Sequence, residues 1–243
     1  MTGPLWELLF KGAWVTVQLM VYSAALAAAV AFGIGMARTS RLWIVRFLTG
    51  AYVEFFRGTS ALVLMFWLFF ALPLFGWQLA GLWAGTLALG LSYGAYGSEV
   101  VRGALQAVPA AQREAAVALN FTPWQRMRKV LLPQAVPEMM PPFNNLLIEL
   151  LKGTALASLL SIGELTFEAK LARLSTGESA QVYGSILLMY FVIAFLVTRV
   201  MRLLERRAKA SVGQVQERDG RFLRGPSVPG RGARPTVVGG GGR

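Results

Sequence analysis

The chain has 243 residues, 55% of them hydrophobic and only 15% charged, with a mean hydropathy of +0.53, a balance that excludes an ordinary soluble domain and reads as an integral membrane protein. It contains no cysteine and no histidine, which removes disulfide frameworks, thiolate chemistry, imidazole bases and Cys/His metal sites, so no metal site is predicted. The net charge of +12, from 24 Lys and Arg against 12 Asp and Glu, fits nucleic acid, anionic lipid or membrane topology, and where the charges lie decides among them.

Residues 1–11 read as a leading segment outside the membrane. Between Lys11 and Arg38 lie 26 uncharged residues, enough for a first span over 13–37 at about 1.5 Å per residue across a hydrocarbon core of about 30 Å. A cleaved signal peptide fits less well, because nothing basic precedes Lys11 and the apolar stretch is too long. From Gly58 to Ser98 there are 41 uncharged residues, broken by LPLFGWQ (72–78), whose Pro73 and Gly76 predict a turn between spans over 52–72 and 79–101. Glu54 and Arg57, three apart, open the second span, and Glu99 with Arg102 closes the third; both read as interfacial charge pairs that fix helix positions. Trp67, Phe69, Phe70 and Trp77 read as lipid-facing or interfacial packing.

The stretch after the third span is basic and rich in helix-capping residues. PAAQREAAVAL (109–119) is built almost wholly of helix formers behind Pro109, and Asn120 suits the left-handed position that ends a helix. Thr122, Pro123 and Gln125 then read as the N-cap, first residue and reciprocal capping residue of a second helix. The predicted shape is a stiff elbow, either a docking element for a partner or an amphipathic turn resting on the membrane.

A fourth span over 130–162 is apolar but carries Glu138, Glu149 and Lys152, with prolines at 133, 137, 141 and 142, so an interrupted helix is expected. The prolines leave the carbonyls of Lys129, Pro133, Pro137 and Glu138 without helical partners, which implies a wetted end or a plain kink. Ionisable groups inside a membrane are functional candidates by default. Glu149 and Lys152 either neutralise each other or line a polar pathway together, with Asn144 and Asn145 nearby as further pathway candidates. GELTFEAKLARLSTGES (163–179) spaces Leu165, Leu171 and Leu174 as a short amphipathic helix that receives a partner or lies on the outer leaflet. A last span over 179–201 contains 20 uncharged residues, and residues 211–243, rich in Gly, Pro and Arg, form a tail expected to be disordered. With the N-terminus outside, thirteen basic residues flank the cytoplasmic ends and three the other side, the arrangement of an N-out, C-in protein. The basic balance is thus largely topological, and no nucleic-acid partner is expected.

The elbow also carries a resemblance. Glu114-Ala115-Ala116, then Asn120, then Val130, Leu132 and Pro133 resemble, at every spacing, the Glu-Ala-Ala loop motif of the inner-membrane permease subunits of ABC importers, with Asn in place of the usual Gly. EFFRGTSALVLMFW (54–67), YGSEVVRGALQAVPAAQREAA (96–116) and NNLLIELLKGTALASLLSIGEL (144–165) are similar to the branch that takes up polar amino acids, and the likeness extends over a permease domain of roughly residues 12–209.

The resemblance implies an all-α fold of five transmembrane helices in the bacterial inner membrane, paired with an identical or similar permease subunit. It also implies separate ATPase subunits that hold ATP and Mg²⁺ and grip the Glu114–Asn120 loop, and an extracytoplasmic binding protein that delivers a small polar solute. The chain has no G-x-x-x-x-G-K-[ST] phosphate loop, so it is not expected to be the enzyme and needs no cofactor of its own. The competing expectation is an ion-coupled transporter or channel that uses Glu149 and Lys152 as a charge relay.

Overall fold

The structure, a computed structural model, describes residues 3–211, and every regular element among them is helical. Helix α1, Gly3–Ala37, is 35 residues long, about 52 Å at 1.5 Å per residue, so residues 3–11 are its first turns and not a separate leading segment. After a turn, α2 (Trp43–Gly58) meets α3 (Ala61–Phe66) at extended Thr59 and Ser60, and the α2 and α3 arms are bent by 97°. The second span expected over 52–72 is therefore not a straight crossing. Beyond α3 the chain widens into a π turn (Trp67–Ala71), tightens into a 3-10 turn (Leu72–Phe75) and stops at left-handed Gly76 (φ 86°), within the turn predicted there.

Helix α4, Gly81–Ala107, leads into the short helices α5 (Ala110–Ala118) and α6 (Pro123–Arg126), a second π turn (Met127–Leu131) and α7 (Leu132–Thr154). Both π turns end two residues before a proline, Pro73 or Pro133, whose missing N–H frees the carbonyl four residues back, Phe69 or Lys129, inside the widened turn. The interruption predicted for the fourth span is thus displaced. Helix α7 runs unbroken through Pro137, Pro141 and Pro142, and the irregular backbone lies in the π turn before it and in the 3-10 turn Ala155–Leu160 after it. The chain then bends by 53° across left-handed Ser161 (φ 56°), forms α8 (Leu165–Thr176), ends that helix at left-handed Gly177 and closes with α9 (Ser179–Ser211). The tail expected from residue 211 lies outside the described residues beyond Ser211.

Helices α1 and α9 are each long and apolar enough to cross a membrane, and the bent pairs α2/α3 and 123–160/α8 reach that standard only when each pair is counted as one span. The centre of the bundle is the seam between α1 and α4. A side chain cannot fit at its closest points: a Cβ at Gly94 would lie 2.7 Å from Val30 Cβ, one at Gly90 2.6 Å from Leu26 Cδ2, and one at Gly35 2.7 Å from Val101 Cβ. Small residues spaced four apart are how membrane helices gain van der Waals contact where no hydrophobic drive exists between them and lipid. At one end Leu9 of α1 packs with Leu165, Ala169, Ala172, Val182 and Ile186 of α8 and α9, and at the other Ala31 packs with Val101, Leu105, Ala135 and Met139 of α4 and α7.

Gly94→Ala should lower the stability of the purified protein by about 1–3 kcal/mol through overpacking against Val30. Gly103→Ala, at a position with open space around it, should leave the thermal midpoint unchanged or raise it slightly. Parallel thermal unfolding of the two variants in detergent measures the contrast.

Candidate functional site

The elbow forms as its local chemistry dictates. Helix α5 ends in a Schellman turn: the Asn120 N–H donates to Val117 O at 2.9 Å and the Phe121 N–H to Ala116 O at 3.1 Å, with Asn120 left-handed at φ 55°. Two residues on, the Thr122 N–H donates to Gln125 Oε1 at 2.9 Å and the Gln125 N–H to Thr122 Oγ1 at 3.3 Å, the capping box expected from the sequence. Ala116 is buried, whereas Glu114 and Ala115 are exposed, alongside Val117, Leu119 and Trp124. Those three apolar side chains make the elbow a greasier surface than its motif residues alone suggested.

The elbow is also held at both ends. Arg113 Nη2 donates to the carbonyl of Leu105 near the end of α4, and Gln134 Nε2 of α7 donates to Gln112 Oε1 at 3.3 Å. Val130 lies in the π turn, and Leu132 and Pro133 open α7, so the distal half of the motif is the root of the fourth long element. A cleft of about 260 Å³ between Ala107, Val108 and Pro109 on one side and Gln134 and Glu138 on the other opens at this root, where a wetted end or a plain kink was expected. Just before the elbow, Glu99 accepts two hydrogen bonds from Arg102, at 2.6 and 2.9 Å, and also pairs with Arg38 at the end of α1. The predicted Glu99–Arg102 pair is therefore one half of a three-residue staple. Arg38 was the missing half, and a lone Arg at the end of a span gives no sequence signal of which helix it will meet.

The second region is a cleft of about 460 Å³ where the α2/α3 break faces α4 and α7, lined by Arg57, Gly58, Thr59, Ser60, Ala61, Ser92, Tyr93, Tyr96 and Glu149. Its polar groups converge from α2, the Thr59–Ser60 break, α4 and α7. The Arg57 guanidinium lies 5.5 Å from the Tyr96 ring centroid, the Tyr96 hydroxyl donates to Arg57 O at 3.3 Å, and the Tyr93 hydroxyl donates to Glu149 O at 3.0 Å. The Ser92 hydroxyl is buried there without a hydrogen-bond partner.

Three sequence expectations change. Glu54 and Arg57 form no ion pair among the described residues, because Arg57 turns onto Tyr96. Glu149 and Lys152 neither pair nor share a cavity: three residues along a helix differ by about 60° in direction, and Lys152 lies in an apolar groove with Ile148, Leu151, Ala155, Tyr190, Phe191 and Ala194 of α7 and α9. Asn144 and Asn145 do not line the Glu149 cleft; Asn144 Oδ1 is buried without a partner and Asn145 is exposed. Thr59, Ser60, Ser92 and Tyr96, which do line it, are uncharged and lie in apolar stretches, so only the fold brings them together. No group of three or more acidic residues among the described residues has the geometry of a metal site.

Residues 29–210 match the family described as binding-protein-dependent transport system inner membrane component. A probable amino-acid ABC transporter permease protein, y4tF of Sinorhizobium fredii, is 49% identical over 80% of this chain and 84% of its own length. The octopine transport system permease protein OccM of Rhizobium radiobacter is 34% identical over 81% of this chain and 84% of its own. A solved amino acid ABC transporter with histidines superposes with a TM-score of 0.76 at 29% identity, covering 83% of this chain and 94% of that one.

Asn120→Val should destabilise the elbow by about 1–2 kcal/mol, since a β-branched residue is strained at positive φ, while Asn120→Gly should be neutral or slightly stabilising. Hydrogen exchange over residues 112–126 measures both effects, with faster exchange only in the valine variant.

Proposed function

The chain belongs to the family of binding-protein-dependent transport system inner membrane components, and from that premise we propose how it works. It is the inner-membrane permease subunit of an ABC importer of amino acids. ATP hydrolysis takes place on separate ATPase subunits, where ATP and Mg²⁺ bind, and an extracytoplasmic binding protein supplies the solute to a pair of permease subunits. Five crossings with the N-terminus outside place the elbow in the cytosol, as the distribution of basic residues favours.

The observation that carries this reading is the elbow, rigid inside and tied to both α4 and α7. A push on the exposed face around Glu114, Ala115, Val117 and Leu119 has no flexible link in which to dissipate, so it tilts the two helices that border the cleft. Alternating access then follows from movement of these helices around a fixed recognition site. In that site the chemistry suits a zwitterion. Arg57 offers a planar fork to a carboxylate, Glu149 an acceptor to an ammonium, and the Ser92 hydroxyl remains free for either. The ion-coupled alternative required Glu149 and Lys152 to relay charge between them, and their opening into different spaces favours the ATP-driven reading.

In proteoliposomes holding the assembled complex, Glu114→Arg should reduce ATP-driven amino acid uptake at least about tenfold, equivalent to about 1.4 kcal/mol of docking free energy. The ATPase subunits should also co-purify less well. Uptake and recruitment both unchanged would defeat the coupling role. Arg57→Gln and Glu149→Gln should leave recruitment intact and raise the apparent KM by roughly 10- to 150-fold, the worth of one charge-assisted hydrogen bond of about 1.5–3 kcal/mol. Concentration dependence of uptake measures this.

A further inference from the structure

Beyond its first turn, α7 leaves Glu138, Pro141, Pro142, Asn145, Glu149 and Lys152 exposed. At about 100° per residue these positions fall within an arc of about 100°, so they form one stripe along the helix. The stripe is polar although the span that carries it is apolar. Among the described residues, the side chains of Glu138, Asn145, Glu149 and Lys152 form no ion pair and no hydrogen bond. Pro142 also leaves the carbonyl of Glu138, on the same stripe, without its helical donor.

The charged end of the stripe lies deep. A Cβ at Gly153, beside Lys152, would lie 3.2 Å from Leu89 Cδ2 of α4, and the adjacent Gly90 packs on Leu26 of α1, near the middle of the uncharged run between Lys11 and Arg38. About 15 Å of hydrocarbon separates such a level from either surface, farther than a four-carbon stem carries its ammonium. Lys152 therefore does not reach a lipid headgroup. Hydrocarbon does not cover a carboxylate, an ammonium, an amide and an orphaned carbonyl either, because each needs a polar partner there.

The order of these groups identifies the partner. Relative to Asn145, Glu149 is turned about 40° to one side and Lys152 about 20° to the other. They border spaces on the two flanks of α7, the Arg57 cleft and the groove against α9. A twofold axis sets one flank of a helix face against the opposite flank of its copy, so that residue i meets j and j meets i. Glu149 of each copy then faces Lys152 of the other, offset by about 4.5 Å along the helix, and the long lysine stem spans that offset. Asn145 lies between them and meets itself. An amide carries both donors and an acceptor, so two identical amides satisfy each other. A carboxylate accepts at both oxygens, which leaves Glu149 able to serve its own cleft as well.

We propose that a second copy of this chain packs on the exposed stripe of α7, with the two α7 helices side by side about a twofold axis and Asn145 at its centre. The inference rests on the reading that permease subunits work as a pair, and adds that both are this chain and that α7 joins them.

The chain has no cysteine, so Asn145→Cys introduces a single thiol. Two full-length copies with different affinity tags, both carrying this substitution, are oxidised in membranes within the complex with the ATPase subunits. A disulfide needs Cα atoms within about 7 Å, and the expected product is a covalent dimer that bears both tags. Leu188→Cys, on the exposed apolar face of α9, should give none. In the Asn145→Cys chain, Lys152→Glu should lower the cross-linked yield roughly tenfold or more, and adding Glu149→Lys should restore it. No disulfide at position 145, an equal yield from Leu188→Cys, or no recovery on exchanging the charges overturns the proposal. Should Asn145→Cys fail to accumulate, Glu138→Cys, two turns away on the same stripe, takes its place under the same outcomes. ATP-driven uptake by a complex that forms no such disulfide would sink the second-copy assignment and leave the importer reading standing. A disulfide without ATP-driven uptake would do the reverse.

Discussion

The fold depends on how closely α1 and α4 approach. Between two helices in lipid there is no hydrophobic gain from excluding water, so association rests on van der Waals contact and on the few polar groups that find partners. Gly35, Gly90 and Gly94 remove the side chains that would hold the axes apart, and the Arg38–Glu99–Arg102 staple locks one end of the seam. With α1 and α4 joined, the other elements have fixed edges against which to pack. Helix α7 lies along α4, α9 along α7, and the α2/α3 break faces the far side of α4, which creates the Arg57–Glu149 cleft.

The same packing connects the elbow to the cleft. The elbow continues directly from α4 and runs directly into α7, and these two helices carry Ser92, Tyr93, Tyr96 and Glu149 into the cleft. The irregular backbone is concentrated at the π turn that roots α7, at the Thr59–Ser60 break and at the 3-10 turn that leads to α8. The π turn has a local cause in a proline four residues after an orphaned carbonyl, the 3-10 turn ends at left-handed Ser161, and the break is two extended residues, Thr59 and Ser60.

How much of this was legible in the sequence divides along the range of the interactions. The elbow was readable residue by residue, because capping boxes and left-handed stops are decided by neighbours within five positions: Asn120, Thr122, Pro123 and Gln125 do what their side-chain chemistry prescribes. The Glu99–Arg102 pair was readable for the same reason. Where a long-range partner competes, spacing misleads. Arg57 leaves Glu54 for the Tyr96 ring, and Glu149 and Lys152 turn toward different neighbours although they are three residues apart. The bend at Thr59 was hidden because an uncharged run has the same hydropathy whether it is straight or folded over. Glu164 escaped notice because its partners, Thr16 and Tyr190, lie in stretches that read as plain apolar spans.

Helix α1 is a rod of 35 residues, stapled through Arg38 just past one end and hydrogen-bonded through Thr16, part-way along it, to Glu164. Over about 52 Å, a tilt of about 5° about the stapled end carries the far end through about 4–5 Å. That is roughly the rise of one helical turn, so leverage along α1 alone turns a modest rotation beside the elbow into a displacement large enough to reseat side chains on the opposite surface of the bilayer.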